Sequence, residues 1–140
     1  MSSPVMSSTD APSSGRARIA ILGVGAVGAR VARQVVSVDG ERVVLRDPDR
    51  GRLATVAQSL GEHATIDRGA LDDPIDAEVV VIAGPGRTQA ELAARFVRAG
   101  QHVVTTTDDL TDVRGLLGLD HQARERDVSV IVGAGFAPGL

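Results

Sequence analysis

Gly23-Val24-Gly25-Ala26-Val27-Gly28 is the stretch that decides the fold. It follows the apolar run Ile19-Ala20-Ile21-Leu22 and opens a segment, Ala26–Ser37, in which Val27, Val31 and Val35 recur four residues apart on one helical face. Strand, glycine turn and helix in that order have a mechanism. The first glycine permits a tight strand-to-helix turn, the second lets a pyrophosphate approach the backbone, and the third lets helix and strand pack closely. The free N–H groups at the helix start then attract a diphosphate. Asp47 stands 19 residues past Gly28, at the end of a second apolar run, Val43-Val44-Leu45. A carboxylate there accepts hydrogen bonds from the hydroxyls of an adenosine ribose. Glycines alone would mark only a turn; with the strand, the helix and the acid they predict dinucleotide binding.

Outward from this turn, short apolar runs alternate with helical patterns. Strands are expected at Arg18–Leu22, Arg42–Arg46, His63–Ile66, Glu78–Ala83, His102–Thr106 and Val128–Val132. Helices are expected at Ala26–Ser37, from about Asp49 to Leu60, after the capping-box pattern Thr88-x-x-Glu91 as far as Gly100, and at Val113–Arg126. This alternation implies parallel βαβ units. Right-handed crossovers favour a doubly wound, mostly parallel six-stranded Rossmann sheet in the order 3-2-1-4-5-6, as a three-layer αβα sandwich.

Such a sheet binds ligands at the carboxyl ends of its strands. The candidate cofactor-binding residues there are Gly23, Val24, Gly25, Ala26, Val27 and Gly28 after strand 1, Arg46 and Asp47 at the end of strand 2, and Ala83 and Gly84 after strand 4. Asp47 favours NAD, because a carboxylate repels a 2′-phosphate and accepts from a free 2′-hydroxyl. Arg46, Arg50 and Arg52 surround it and offer the alternative, a cation cluster for the 2′-phosphate of NADP. The reading taken is NAD.

Composition narrows the chemistry. The chain has 140 residues, a formal charge of −3, no cysteine, and Phe96 and Phe136 as its only aromatics. That excludes disulfides and thiolate catalysis, and it offers neither the basic surface nor the stacking platforms of a nucleic-acid binder. All 15 basic residues are Arg, so no lysine Schiff base or lysine general base can come from this chain. No apolar stretch reaches the length of a membrane span, and a cytoplasmic protein is expected by default. The Ser- and Pro-rich residues 1–15 read as a disordered tail ahead of a single domain at 16–140.

Other candidate chemistry is thin. His63, His102 and His121 lack metal-ligand spacing and read as solvated or strand-edge side chains. Asp72, Asp73, Asp76 and Glu78 read as a solvated loop, and Asp108-Asp109, near the nicotinamide side of the switch point, as the cap of the helix that follows.

Four segments taken together resemble the saccharopine-dehydrogenase-like oxidoreductases: Gly23–Gly28, the acid Asp47, Ala83-Gly84-Pro85-Gly86, and Val132-Gly133-Ala134-Gly135-Phe136-Ala137-Pro138-Gly139-Leu140. Homoserine dehydrogenase and dihydrodipicolinate reductase have similar cofactor domains. The resemblance implies an NAD(P)-binding domain followed, in the family, by a larger α+β domain that holds most of the substrate site and often the dimer interface. On this reading the second domain is absent, the chain binds a dinucleotide without a full active site, and a second chain or domain completes it. No catalytic residue carries over, since the lysine used by the lysine-pathway members has no counterpart here. The alternatives are a nucleotide-sensing regulatory domain of the potassium-uptake type and a truncated product without function.

Overall fold

The computed structural model describes residues 17–84 and 89–134. Six strands, β1 (Ala17–Leu22), β2 (Val43–Arg46), β3 (Ala64–Ile66), β4 (Ala77–Ile82), β5 (His102–Thr105) and β6 (Val130–Ile131), form one sheet in the order β3-β2-β1-β4-β5-β6. Every pairing is parallel, and β1 lies between β2 (Ile21 opposite Leu45) and β4 (Ile21 opposite Val81). The expected Rossmann order is the observed one.

Helices cover both faces, which is why the central strands are apolar on consecutive residues. On one face α1 (Ala26–Asp39) and α2 (Arg50–Leu60) bury Ile21, Val43, Leu45 and Val81 with Ala29, Ala32, Leu53 and Val56. On the other, α3 (Gln89–Arg98), α4 (Leu110–Leu117) and α5 (Asp120–Arg126) enclose Leu22, Val80, Ile82 and Val103 around Phe96. Val80, Val81 and Ile82 thus feed alternate faces, as successive residues of a strand must.

Local signals set most boundaries. Gly40 ends α1 in the left-handed conformation (φ +65°), and the Asp49 carboxylate caps α2 by accepting from Arg52 N at 3.0 Å. Asp109 caps α4 in the same way, accepting from Asp112 N at 3.0 Å. Two expectations need correcting. The single helix at Val113–Arg126 is two helices, starting earlier at Leu110 and broken at Gly118-Leu119, because the break lets Leu116, Leu119 and Ala123 all enter the Phe96 core. β6 is only two residues long, because Asp127 (φ +57°) and Val128, which donates to Ala123 O at 3.0 Å, close the end of α5. The expected tail at 1–15 and the capping residue Thr88 lie outside the described residues. Among the described residues no helix is long and apolar enough to cross a membrane.

Candidate dinucleotide site

The exits of β1, β2 and β4 converge on the glycine turn. Gly23 N donates to Arg46 O at 2.8 Å, and Ala83 N donates to Leu22 O at 2.8 Å, so the turn is wedged between its two neighbours. Gly23 has φ +95°, and a Cβ on it would lie 2.8 Å from Gly84 N. A Cβ on Gly28 would overlap the Gly23 carbonyl oxygen and touch Ala83 Cβ at 3.4 Å. Both positions therefore need glycine for the protein's own packing.

Gly25 differs. Its φ is an ordinary −72°, and a Cβ there would meet nothing nearer than Arg52 Nη1, at 3.7 Å. Its missing side chain serves no internal contact and leaves an open cradle at the start of α1. No side chain caps that helix and its first turn holds no acid, so no side-chain cap takes up the free N–H groups of its first turn. The residues present fit a diphosphate.

Asp47 closes the cradle on the β2 side. Its side chain is 5% exposed, and its two oxygens accept from Val24 N and Asp49 N, each at 2.7 Å. A carboxylate has about four acceptor positions, so room remains for sugar hydroxyls. Arg52 hangs over the same place, with Nη1 3.8 Å from Asp47 Oδ2 and Nη2 3.8 Å from Asp49 Oδ2. Val24 and Gly28 are buried, Ala26 and Val27 are exposed on the first turn of α1, and Ala83 and Gly84 are half-buried against Gly23.

Arg46 is a correction. Its side chain points away from Asp47 and is 2% exposed. Nε donates to Asp67 Oδ1 at 3.0 Å, Nη1 to Asp73 O at 2.7 Å, and Nη2 to Pro74 O at 3.1 Å. The guanidinium pins the loop between β3 and β4 and is spent there; only the Arg46 carbonyl reaches the glycine turn.

Two functional candidates escaped the sequence reading. Gln89, the first described residue of α3, is buried and joins the exits of β4 and β5: Nε2 donates to Gly84 O at 2.9 Å and to Thr106 Oγ1 at 3.1 Å. Its Oε1 accepts from Thr106 N at 2.9 Å and Thr107 N at 3.1 Å. Asp112, buried on α4, caps α3 from outside, accepting from Gln89 N at 3.1 Å and Ala90 N at 2.8 Å. Apart from Gly84, five residues away, the partners lie 17 to 23 residues off and leave no local pattern to read.

The histidines stand elsewhere. His63 precedes β3 and His102 begins β5, both at the amino ends of their strands, and His121 is exposed on α5 beside Glu125 at 3.4 Å. Among the described residues no group of His, Cys, Asp or Glu is arranged to hold a metal.

Comparison with known proteins agrees with this geometry. Residues 17–134 match the model of an oxidoreductase family with an NAD-binding Rossmann fold, Gfo/Idh/MocA. Myo-inositol 2-dehydrogenase from Lactobacillus plantarum superposes with a TM-score of 0.65 at 20% identity, over 82% of this chain and 36% of that one. Biliverdin reductase from Synechocystis, in complex with biliverdin and NADP+, gives 0.64 at 21% identity, over 81% of this chain and 37% of that one. GenD2 from gentamicin A biosynthesis, in complex with NAD, gives 0.62 at 25% identity, over 86% of this chain and 35% of that one. The chain thus spans little more than a third of the length of these proteins. No significant match is found among curated proteins. The resemblance to saccharopine-dehydrogenase-like enzymes holds only as a Rossmann oxidoreductase domain that binds NAD(P); the family matched is a different one. The chain belongs to the Gfo/Idh/MocA oxidoreductase family, of which it carries the NAD-binding Rossmann fold.

Proposed function

We propose that this chain is the dinucleotide-holding part of an oxidoreductase whose substrate-contacting and proton-transferring groups lie outside the described residues. The observation that carries the reading is the contrast within the glycine turn. Gly23 and Gly28 are crowded by their own fold, while Gly25 faces open space. Gly25, Ala26 and Val27 would offer backbone N–H groups to the diphosphate, and Asp47 would accept from the adenosine ribose. Ala83 and Gly84 would floor the crossing toward the nicotinamide. Bound there, the cofactor supplies hydride chemistry.

NAD is the preferred form. The Asp47 carboxylate is fixed by two backbone donors and stands where a 2′-phosphate would have to come. Arg50 and Arg52 are the residues that favour NADP instead, and Arg46 is no longer among them.

The completing surface would come from a second domain or chain, and exposed apolar side chains support that. Val27 and Ile131 are 43% and 52% exposed, and a groove of about 570 Å³ runs along α1 between Val27, Val31, Val35 and Ala134. A protein of the cytoplasm is in keeping with this reading. A nucleotide-sensing role is favoured by one observation: the carboxyl edge of the sheet holds no described histidine and no lysine or cysteine for proton transfer. Saccharopine-type substrates remain one class for a complete protein to be assayed on.

Calorimetric titration with NADH and NADPH tests the reading, with Gly25→Val as the control. Binding to the natural chain that is lost in the variant supports it. Equal binding by both, or by neither, rejects it.

A further inference from the structure

We infer that Gln89 is a positioning residue for the nicotinamide half of the site, holding apart and in register the two backbone exits on which that half would rest. The inference rests on the dinucleotide reading above. The last rung between β4 and β5 pairs Ile82 with Thr105. Gln89 takes over where the ladder stops. Its amide spans from Gly84 O on the β4 side to Thr106 N and Thr107 N on the β5 side, at 2.9, 2.9 and 3.1 Å.

The amide uses every donor and acceptor position it has, two of each, and the residue is 1% exposed. A fully satisfied buried network of this kind is rigid and specifies one arrangement. Thr106 extends it, donating from Oγ1 to Ile82 O at 3.1 Å. The residue that carries the amide is itself fixed from behind. Asp112 receives the N–H groups of Gln89 and Ala90, and α4 abuts α3 so closely that a Cβ on Gly115 would stand 2.9 Å from Ala90 Cβ.

None of these contacts touches Gly25 or Asp47, which serve the adenosine and diphosphate half. The two halves of the ligand can therefore be separated by experiment. ADP-ribose carries the first half alone, and NADH carries both.

Gln89→Glu keeps the acceptor toward Thr106 N and Thr107 N but puts an oxygen where Nε2 faces Gly84 O. Thr106→Val cuts the same bridge from the β5 side and covers the case in which Gln89→Glu fails to fold. Calorimetric affinities for NADH and ADP-ribose, with melting temperatures beside them, are the readout. The expected result for either folded variant is a roughly tenfold weaker NADH with ADP-ribose changed by less than about twofold. Parallel loss of both ligands, no loss of either, or a natural chain that binds NADH no tighter than ADP-ribose overturns the inference and leaves the dinucleotide reading standing. A natural chain that binds neither ligand overturns both.

Discussion

The carboxylate of Asp47 accepts a hydrogen bond from the backbone N–H of Val24 at 2.7 Å, across 23 residues of sequence. The residue expected to face the ribose thus also holds the turn that would face the diphosphate. Its second oxygen takes Asp49 N at 2.7 Å, so both contacts shape the pocket before any ligand arrives. Asp47→Asn turns one acceptor into a donor pointed at a backbone N–H. The folded chain should lose about 1–3 kcal/mol in denaturant titration without ligand, in addition to any loss of affinity. Unchanged ligand-free stability would show that the bond to Val24 carries no weight.

The glycines of the turn should respond differently to the same added methyl group. Gly28→Ala sets a Cβ against the Gly23 carbonyl, where only backbone can give way, and should lower the melting temperature sharply. Gly25→Ala meets only the Arg52 guanidinium, at 3.7 Å, and should melt as the natural chain does while binding cofactor at least tenfold more weakly. Thermal melts and titrations on the pair separate a packing glycine from a ligand glycine.

How much of this was legible in sequence depends on the range of the contact. The runs at Val43-Val44-Leu45 and Val79-Val80-Val81-Ile82 declare buried parallel strands by themselves, and Gly23–Gly28 declares the turn between strand and helix. The expectation for Arg46 fails because its side chain leaves the glycine turn for the loop between β3 and β4. Adjacent residues of a strand point to opposite sides, so standing next to Asp47 in sequence carries Arg46 away from it in space. The division of α4 from α5 turns on Leu119 entering a core built by three helices, which a pattern within one segment does not contain. Gln89 and Asp112 act through partners on other elements and have no motif at all.

Arg46 gives a prediction opposite in kind to that for Gly25. Arg46→Met keeps much of the buried stem and removes the charge and its donors, leaving Asp67, Asp73 O and Pro74 O without their partner. The cost should be about 2–3 kcal/mol, since hydrogen bonds from a charged group are lost while Asp67 keeps partial access to water. Cofactor affinity of the folded variant should stay within about twofold. A selective loss of NADPH binding would restore Arg46 as a phosphate ligand.

Cofactor choice is a contest between Asp47 and Arg52, whose charged groups lie 3.8 Å apart. With the carboxylate held by two backbone donors, the natural chain should bind NADH more tightly than NADPH. Asp47→Ser should narrow or invert the preference by removing the repulsion, and Arg52→Ala should widen it. NADPH bound tenfold tighter by the natural chain, about 1.4 kcal/mol, would mean that the arginine governs the site.

The last prediction concerns turnover. Hydride transfer to or from a carbon needs a partner group for the accompanying proton and a pocket that excludes water. At the carboxyl edge the described carboxylate and hydroxyl side chains include Asp47, Asp67, Thr105, Thr106, Thr107 and Asp108. The carboxylates of Asp47 and Asp67 already serve backbone or arginine donors. Thr105 Oγ1 donates to Ile131 O at 2.9 Å, and Thr107 Oγ1 accepts from Asp109 N at 3.1 Å. The 140-residue chain is expected to bind cofactor and leave it chemically unchanged. Following NADH absorbance with 2-oxo acids, amino-acid derivatives and cyclic polyols, with either cofactor, checks this. Steady oxidation or reduction by the purified chain would show that a proton-transfer group exists at this edge and that the division of labour proposed here is wrong.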